Sequence, residues 1–279
     1  MRAMNTNARQ SAGLPFMKMH GLGNDFVIID ERETGPVVTE SLARAMGDRH
    51  RGVGFDQLAV IRSHPEADIE LLFWNSDGSM SAACGNATRC VAGHEFACNP
   101  GKETLSIVTE RGQLQAWNAG GGLIRVNMGA PLLDWADVPL AHAMDTLELP
   151  IDGAPTATGM GNPHCTYFVD DIEAADLCAI GAATEHHPLF PQRTNVQLAQ
   201  MIGSNRLRVR VWERGVGVTE ASGSSSCASA VAAIRRGLAT GRIEVVLDGG
   251  SLFIDWTEDG VLMEGPWAHV FDGIWRGTE

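Results

Sequence analysis

The sequence predicts an α+β protein built from two similar, pseudo-symmetric domains, each a curled and mostly antiparallel sheet around one central helix. Strand-like runs fill most of the chain, and helix-like segments are few. Two helix-like segments of small residues open at Cys84 and Ser222, 138 residues apart, and a strand-like run, a turn-rich loop and an alanine precede each of them. This similarity indicates an internal duplication. If a pseudo-twofold relates the halves, both helix N-termini lie at a shared cleft.

The first half begins with the strand-like runs "FMKMHG" and "DFVIID" on either side of the turn "LGN". A helix capped by Thr39 is expected over "TESLARAMGD", followed by strands "QLAVIR" and "IELLFW". After the turn "NSDGS", the small-residue segment predicts a helix from Gly85 to about Cys98. Strands "TLSIVTE", "QLQAW" and "LIRVNM" complete this half.

The second half repeats this order. A strand is expected at "CTYFVD", a helix at "DIEAADLCAIG", and two paired strands at "NVQLAQMI" and "RLRVRVWE". In the last run aliphatic residues alternate with Arg206, Arg208 and Arg210, which places the arginines on a solvated face. The second small-residue segment predicts a helix through about Gly237. Three strands joined by glycine turns are expected to follow, at "RIEVVLDGG", "SLFIDWTEDG" and "VLMEGPWAHVF".

These elements predict a flexible extension and two domains. The extension covers residues 1–15, and its polar start lacks the apolar core of a signal peptide. The N-terminal domain covers residues 16–133 together with about 268–279, because the last strand is expected to return to it. The C-terminal domain covers residues 134–267, and the active site is expected in the cleft between the two domains.

Composition and charge favour a small-molecule substrate over a nucleic acid. The formal net charge is −13 and the basic residues are scattered, which argues against nucleic-acid binding. No apolar run is long enough to span a membrane. The six cysteines form no CxxC pair and no zinc spacing, which is typical of reduced thiols in the cytoplasm. Neither of the two lysines, Lys18 and Lys102, suits a pyridoxal Schiff base, so no organic cofactor is expected. Because the cysteines show no zinc spacing, no metal is expected either.

Cys84 lies at the expected start of a helix, where free N–H groups and the helix dipole favour a thiolate. A buried cysteine that only fills space is the alternative at this point. The matching segments "CGN" and "SGS" each offer successive backbone N–H groups that could hold a carboxylate. A carboxylate held by both would place its α-carbon between residues 84 and 222.

Six segments in order give the chain its resemblance to the diaminopimelate epimerase family, from about Phe16 to Glu279. They are "KMHGLGNDFVIID", "GVGFDQ", "NSDGSMSAACGNATRC", "GNPHC", "RTNVQ" and "WERGVGVTEASGSSSCA". The resemblance implies a pyridoxal-independent isomerase, acting as a homodimer. Its reaction would convert LL-2,6-diaminopimelate to the meso isomer by α-proton abstraction and re-addition, a step toward lysine and cell-wall precursors.

The resemblance also implies the roles of individual residues. The catalytic residues would be Cys84, Ser222, His164 and Glu213. Substrate binding would involve Asn24, Gln57, Asn75, Gly85, Asn86, Asn162, Asn195, Glu213, Arg214, Gly223 and Ser224. Arg214 offers a bidentate fork for a distal carboxylate, and Glu213 an acceptor for an ammonium group. Taken singly, an asparagine is more often a turn or cap residue, and a lone histidine such as His164 is usually structural.

Ser222 is a departure, because the family has a second cysteine at this position. A serine hydroxyl is a much weaker acid than a thiol and needs an adjacent base, for which His164 and Glu213 are the candidates. Three hypotheses remain open. The chain is a diaminopimelate epimerase that accommodates Ser222, a related racemase or dehydratase that acts on another amino acid with a Cys/Ser pair, or a catalytically reduced paralogue that binds an amino acid.

Overall fold

A computed structural model describes residues 13–277. The first half consists of β1 (Leu14–Gly21), β2 (Asn24–Asp30), α1 (Glu40–Gly47), β3 (Gln57–Arg62), β4 (Ile69–Asn75), β5 (Met80–Ser81), α2 (Gly85–Cys98), β6 (Thr104–Thr109), β7 (Gly112–Gly120) and β8 (Leu123–Asn127). The second half consists of β9 (Thr156–Gly159), β10 (Pro163–Phe168), α3 (Leu177–Glu185), β11 (Asn195–Gly203), β12 (Arg206–Glu213), β13 (Gly217–Thr219), α4 (Gly223–Arg235), β14 (Ile243–Leu247), β15 (Gly250–Thr257) and β16 (Gly260–Pro266), and β17 (Ala268–Trp275) follows it.

The two halves repeat each other strand for strand. Hydrogen-bonded neighbours in the first half run β1-β2-β3-β4-β6-β7-β8, with β5 on β4. The second half runs β9-β10-β11-β12-β14-β15-β16, with β13 on β12. Parallel pairs occur at the same two places in each half. The predicted α+β fold with two pseudo-symmetric halves is confirmed.

Two further pairings complete the sheet. Strands β8 and β16, the last of each half, pair antiparallel and join the halves into one sheet. Strand β17 pairs antiparallel with β1, so the end of the chain returns to its beginning. The sheet therefore curls around two helices, one in each half.

Helices α2 and α4 are central because strands surround them. Both are buried around most of their circumference, as expected of a helix without a solvent face. Their buried positions are mostly small, including Ala87, Cys90 and Ala92 in α2 and Ala228 and Ala230 in α4. Small side chains let the curled strands approach the helix closely on several sides.

Several predicted elements are confirmed, and one helix was predicted in the wrong place. Helices α1, α2 and α4 lie where the sequence predicts them. The helix expected from Asp171 begins only at Leu177 and ends at Glu185. The Asp171 carboxylate accepts hydrogen bonds from the backbone N–H groups of Glu173 and Ala174, which stabilises a turn, and Asp176 caps the helix by accepting from Ala179 at 3.0 Å.

The strands show three smaller differences. The segment "VLMEGPWAHVF", expected as one strand, forms the separate strands β16 and β17. Strands β5, β9 and β13, of two to four residues, were not predicted. In β12 the alternation is confirmed, but Arg208 and Arg210 contact Asp248 and are only partly exposed.

The predicted N-terminal extension can be compared with the structure only at its last residues. Residues 1–12, most of the expected flexible extension, lie outside the described residues, and β1 already begins at Leu14. Within residues 13–277, none of the helices has the length and apolar character needed to cross a membrane.

Candidate active site

Cys84 is the residue that precedes helix α2. Its extended backbone places Sγ over the first turn, where it accepts a hydrogen bond from the backbone N–H of Ala87 at 3.4 Å. The expectation of a thiolate is not met in this structure. Burial raises the pKa of the Cys84 thiol to about 12, and the backbone N–H of Ala87, which acts in the opposite direction, has the smaller effect.

Ser222 holds the corresponding position at helix α4. Its backbone is also extended, and its carbonyl accepts from the hydroxyl of Ser226 at 2.8 Å, as that of Cys84 does from Thr88 at 2.8 Å. The side chains differ, because the Ser222 hydroxyl makes no capping bond to its own helix. It lies near the carboxylate of Glu213 and acts to lower the pKa of that group.

The N-termini of α2 and α4 meet at Met263 of β16. A methyl group on Gly85 would lie 3.1 Å from Cε of Met263, and one on Gly223 would lie 3.0 Å from its Sδ. The same group on Gly223 would lie 3.2 Å from Oδ1 of Asn86. Glycine at both positions therefore allows the two helix ends, with the Cys84 thiol and the Ser222 hydroxyl, to approach each other. Their free N–H groups converge on one region that suits an anion.

Glu213 ends β12 beside Ser222. The neighbouring strand β13 brings Thr219 to it, and the Thr219 hydroxyl donates to Oε1 of Glu213 at 3.0 Å. Burial raises the pKa of the Glu213 carboxyl, while Thr219 and Ser222 lower it. Of the two candidate bases, Glu213 is the one whose pKa Ser222 affects, whereas both ring nitrogens of His164 are paired with Asn162 and Gln197.

His164 is fully buried on β10, and both of its ring nitrogens have protein partners. The amide of Gln197 can only donate to Nδ1, at 3.1 Å, because its oxygen already accepts from Thr166. The neutral ring therefore carries its hydrogen on Nε2, which donates to Oδ1 of Asn162 at 2.8 Å. Burial, helped by the charges of Arg214 and Arg111, lowers the pKa of His164 to about 3. This arrangement suits a neutral residue that orients Asn162.

The amides of the first half form two hydrogen-bonded groups. In one, Nδ2 of Asn86 donates to Oδ1 of Asn24 at 3.1 Å, and Nδ2 of Asn24 donates to Asp56 at 2.7 Å. In the other, Nε2 of Gln57 donates to Oδ1 of Asn75 at 2.9 Å across the β3–β4 pair. Each group leaves N–H donors for a ligand.

In the second half, Asn195 links two turns beside the cleft. Its Nδ2 donates to the carbonyl of Pro163 at 2.9 Å, and its Oδ1 accepts from the backbone N–H of Arg214 at 3.0 Å. The exposed side chain of Arg214 donates to the carbonyl of Gln192 at 3.0 Å. Asn195 therefore fixes the backbone that carries Asn162 and Arg214.

Strand register shows that the predicted site residues occupy equivalent positions in the two halves. Phe26 lies opposite Gln57 in the first half, as His164 lies opposite Asn195 in the second, so Asn24 and Asn162, two residues earlier, correspond. The same comparison applies to the next strand pair and to the two helix starts. The equivalent pairs are Asn24 and Asn162, Gln57 and Asn195, Asn75 and Glu213, Cys84 and Ser222, Gly85 and Gly223, and Asn86 and Ser224.

Sequence reasoning missed four residues that contact this set: Asp56, Arg89, Gln197 and Thr219. Gln197 had a usable signal, because it lies two residues after Asn195 and so on the same face of β11. The other three are identified only by their neighbours in space. Within the described part of the chain, no group of three or more His, Cys, Asp and Glu side chains is placed to hold a metal ion.

Comparison with known proteins gives one consistent family. Residues 16–133 and 156–270 match the family model described as diaminopimelate epimerase. The chain is 50% identical to the diaminopimelate epimerase of Rhodospirillum centenum, covering 92% of this chain and 91% of that one. It is 48% identical to that of Acidiphilium cryptum, covering 94% and 96%.

Solved structures share the fold at low sequence identity. A phenazine biosynthesis protein from Bacillus anthracis has a TM-score of 0.68 at 15% identity, covering 93% of this chain and 98% of that one. A probable proline racemase from Agrobacterium radiobacter has a TM-score of 0.67 at 14% identity, covering 94% and 92%.

Proposed function

Since this chain belongs to the diaminopimelate epimerase family, we propose that it converts LL-2,6-diaminopimelate to the meso isomer by moving the α-proton at one stereocentre. The observation that carries the proposal is the meeting of two helix N-termini, one beginning at a thiol and the other at a hydroxyl. Relatives that are 44–50% identical bear the name of this activity. The related racemase, the dehydratase and the non-catalytic paralogue are therefore not favoured.

The substrate would bind through its charged groups. The backbone N–H groups of Gly85 and Asn86, and of Gly223 and Ser224, would hold the reacting carboxylate, since two helix dipoles favour negative charge there. The α-carbon would then lie between Sγ of Cys84 and Oγ of Ser222. The Arg214 guanidinium would bind the distal carboxylate, and asparagine amides would bind the remaining polar groups.

The proposed chemistry removes a proton from one face of the α-carbon and adds a different proton to the opposite face. In one direction the Ser222 oxygen takes the α-proton while its own proton passes to the Glu213 carboxylate, and the Cys84 thiol protonates the opposite face. In the other direction the Cys84 thiolate takes the α-proton, Ser222 delivers its hydroxyl proton, and protonated Glu213 restores it. One proton therefore resides on either Cys84 or Glu213. The form protonated at Cys84 can react with one isomer, and the form protonated at Glu213 with the other.

His164 would act without gaining or losing a proton. Its low pKa keeps the ring neutral, and its Nε2–H fixes the carbonyl of Asn162 so that the N–H groups of this amide remain for substrate. Glu213 would additionally accept a hydrogen bond from the substrate ammonium.

Proton NMR in deuterium oxide with LL-diaminopimelate tests this function. Wild type should incorporate deuterium at the α-carbon and produce the meso isomer, and Cys84→Ala should do neither. Deuterium without inversion in wild type would mean that Ser222 fails in its role, and a gain of inversion in Ser222→Cys would locate the defect there. An absence of exchange in wild type would contradict the proposed function.

We also propose a cytoplasmic homodimer with the domain boundaries predicted from the sequence. Strand β17 supports the dimer, because Val270, Phe271 and Ile274 are 54%, 47% and 58% exposed on a strand whose partner in the described part of the chain is β1. Burying such side chains against a second copy would remove apolar surface from water. Light scattering should give twice the chain mass for wild type and the single mass for Phe271→Asp.

A further inference from the structure

Arg89 is a fully buried arginine on α2, close to the helix end that carries Cys84. Its Nε donates to the carbonyl of Pro266 at 2.9 Å, and its Nη1 donates to Oδ1 of Asn86 at 2.9 Å and approaches Sδ of Met263 at 3.8 Å. These partners are neutral groups. In residues 13–277, Nη2 has no hydrogen-bond partner. A buried cation held by neutral groups is costly, which suggests a role other than stability.

The bond from Arg89 decides which way the Asn86 amide points. A guanidinium can only donate, so it holds the amide oxygen and leaves the nitrogen to face the other side. That nitrogen donates to Oδ1 of Asn24, whose own nitrogen donates to the Asp56 carboxylate. The donors therefore run in one direction, from a cation in the core to a carboxylate. One N–H remains on each of the two amides.

The second half orients its amide by a different residue. There, His164 holds the oxygen of Asn162, the equivalent of Asn24. The position equivalent to His164 in the first half is Phe26, which cannot form this bond. The position equivalent to Arg89 in the second half is Cys227, which follows Ser222 by the same five residues. Each half therefore has one buried orienting residue, at a position that the other half fills with an apolar or thiol side chain.

We propose that Arg89 is a positioning residue that keeps Asn86 turned with its N–H groups toward an anionic substrate, while the Asp56 carboxylate holds Asn24 at the other end of this chain of donors. The proposal rests on the proposed function, because it assigns these amides to a carboxylate-bearing ligand. With the guanidinium in place, a flip of Asn86 would direct an N–H group at a cation and an oxygen at the substrate carboxylate. Without it, the Asn86 oxygen loses its donor and only the bond to Asn24 holds the amide, so the flipped orientation, which would repel the substrate, becomes more accessible.

A double-mutant cycle with diaminopimelate as substrate tests the proposal. Arg89→Met is expected to raise KM by about 10- to 100-fold, the value of a hydrogen bond to a charged group, with a smaller change in kcat. Arg89→Lys, which keeps a donor, should lose less. Because Arg89 acts through Asn86, Arg89→Met should add at most about twofold in an Asn86→Ala background. Independent, multiplying losses would overturn the proposal.

A matched control separates positioning from stability. Arg32 lies at the other end of α2, where it pairs with the buried Glu95 at 2.8 Å. Arg32→Met should lower the thermal stability of the protein yet leave KM unchanged. An equal rise of KM in both variants would overturn the proposal. If Arg89→Met does not fold, Gly21→Ala disturbs the same guanidinium, because the added methyl group would lie 2.6 Å from Nη2.

A measurement without substrate separates this proposal from the proposed function. The side-chain NH2 signals of Asn86 can be assigned by their loss in Asn86→Ala. They should shift in Arg89→Met and stay in place in Arg32→Met, whether or not wild type turns over diaminopimelate. Unchanged signals in Arg89→Met would overturn the positioning role, whereas failure of wild type to exchange the α-proton would overturn only the function.

Discussion

The Ser222 hydroxyl does not make the hydrogen bond that serine ordinarily makes at the start of a helix. Serine at this position usually accepts a hydrogen bond from the backbone of the next turn, and the corresponding Cys84 does so here. Ser222 makes no such bond, so its side chain leaves the N–H groups of the first turn of α4 free, and it lies near Glu213. In the proposed function the residue would thus serve as an acid–base group and leave an anion site open at the same time.

Removing this hydroxyl should affect turnover far more than binding. Ser222→Ala is expected to lower kcat by about 10²- to 10⁴-fold, the usual value of a positioned acid or base, while KM changes little because the backbone N–H groups remain. Steady-state kinetics with LL-diaminopimelate checks this. Ser229→Ala on the same helix is the control, since the Ser229 hydroxyl has no partner among the described residues. A large change in KM with constant kcat would argue against the acid–base role.

The pH dependence of kcat/KM should report Glu213. The proposed reaction needs one proton on the Cys84 and Glu213 pair, so activity should fall at low pH when Glu213 becomes protonated as well. Burial raises this pKa, which places the acid limb above the usual range of glutamate, and the Thr219 hydrogen bond lowers it. Thr219→Val removes that bond and should move the acid limb to higher pH. An unchanged limb would show that another group causes it.

The alkaline side follows from Cys84. Its pKa of about 12 means that the thiol keeps its proton through the ordinary alkaline range. Wild type should therefore show no alkaline limb from this group below about pH 10 in kcat/KM profiles.

At the scale of the elements, the site depends on how closely two helix ends approach. Gly85 and Gly223 provide the space, because methyl groups there would crowd Met128, Met263 and Asn86. The helix ends supply the N–H groups, and the strands that precede them supply Asn75 and Glu213. Neither half holds the whole of the proposed site, since Cys84 and Ser222 precede different helices.

Gly223→Ala should separate stability from activity. Alanine favours helix over glycine by up to about 1 kcal/mol, so the free energy of unfolding should change little. The added methyl group, 3.0 Å from Sδ of Met263 and 3.2 Å from Oδ1 of Asn86, should displace these neighbours by a few tenths of an ångström and lower kcat/KM, by less than the roughly 10²-fold that a 1 Å misplacement costs. Thermal unfolding and kinetics of the same sample measure both effects. Full activity would mean that the close approach is unnecessary.

The sequence predicted the long elements well and the short ones poorly. Helices α2 and α4 follow from runs of mostly small residues, and most strands from apolar alternation. Strands β5, β9 and β13 are too short for any periodicity to register. Helix α3 was misplaced because the apolar spacing after Asp171 resembles a helix, whereas that carboxylate instead stabilises a turn.

The candidate site could be predicted in part. The asparagines and the two helix-start residues follow from matched segments of sequence. The thiolate at Cys84 could not be judged, because burial outweighs the helix N-terminus and burial is set by the whole fold. The proximity of Ser222 to Glu213, and the bond from Arg89 to Asn86, join neighbours that no sequence period relates.

At the scale of the whole molecule, the two halves are joined by one strand pair, β8 and β16. Met263, which contacts both helix starts, lies on β16 opposite Val126 of β8. The junction of the halves therefore lies directly at the site, so a change in their relative position would open or close the region between Cys84 and Ser222.

This arrangement predicts a difference in response to oxidation. Wild type has no second thiol at position 222, so mild oxidant should not lock the halves together. In Ser222→Cys, a disulfide to Cys84 should form, abolish activity and be reversed by reductant. Activity before and after oxidant, with mass spectrometry for the crosslink, measures this. Wild type is expected to retain its activity after oxidant. Reversible locking of wild type would contradict the prediction.

The equivalence of the two halves also concerns the geometry of the carbanion itself. A planar α-carbon has two faces, and a twofold axis lying in that plane exchanges them. A duplicated chain thus offers both faces a helix start at the same place, which a single half could not do. The pairs Cys84 and Ser222, and Asn75 and Glu213, break this equality, so that sulfur serves one face and oxygen the other. Within a scaffold that presents both faces alike, the two acid–base groups can therefore act on the two faces at different rates.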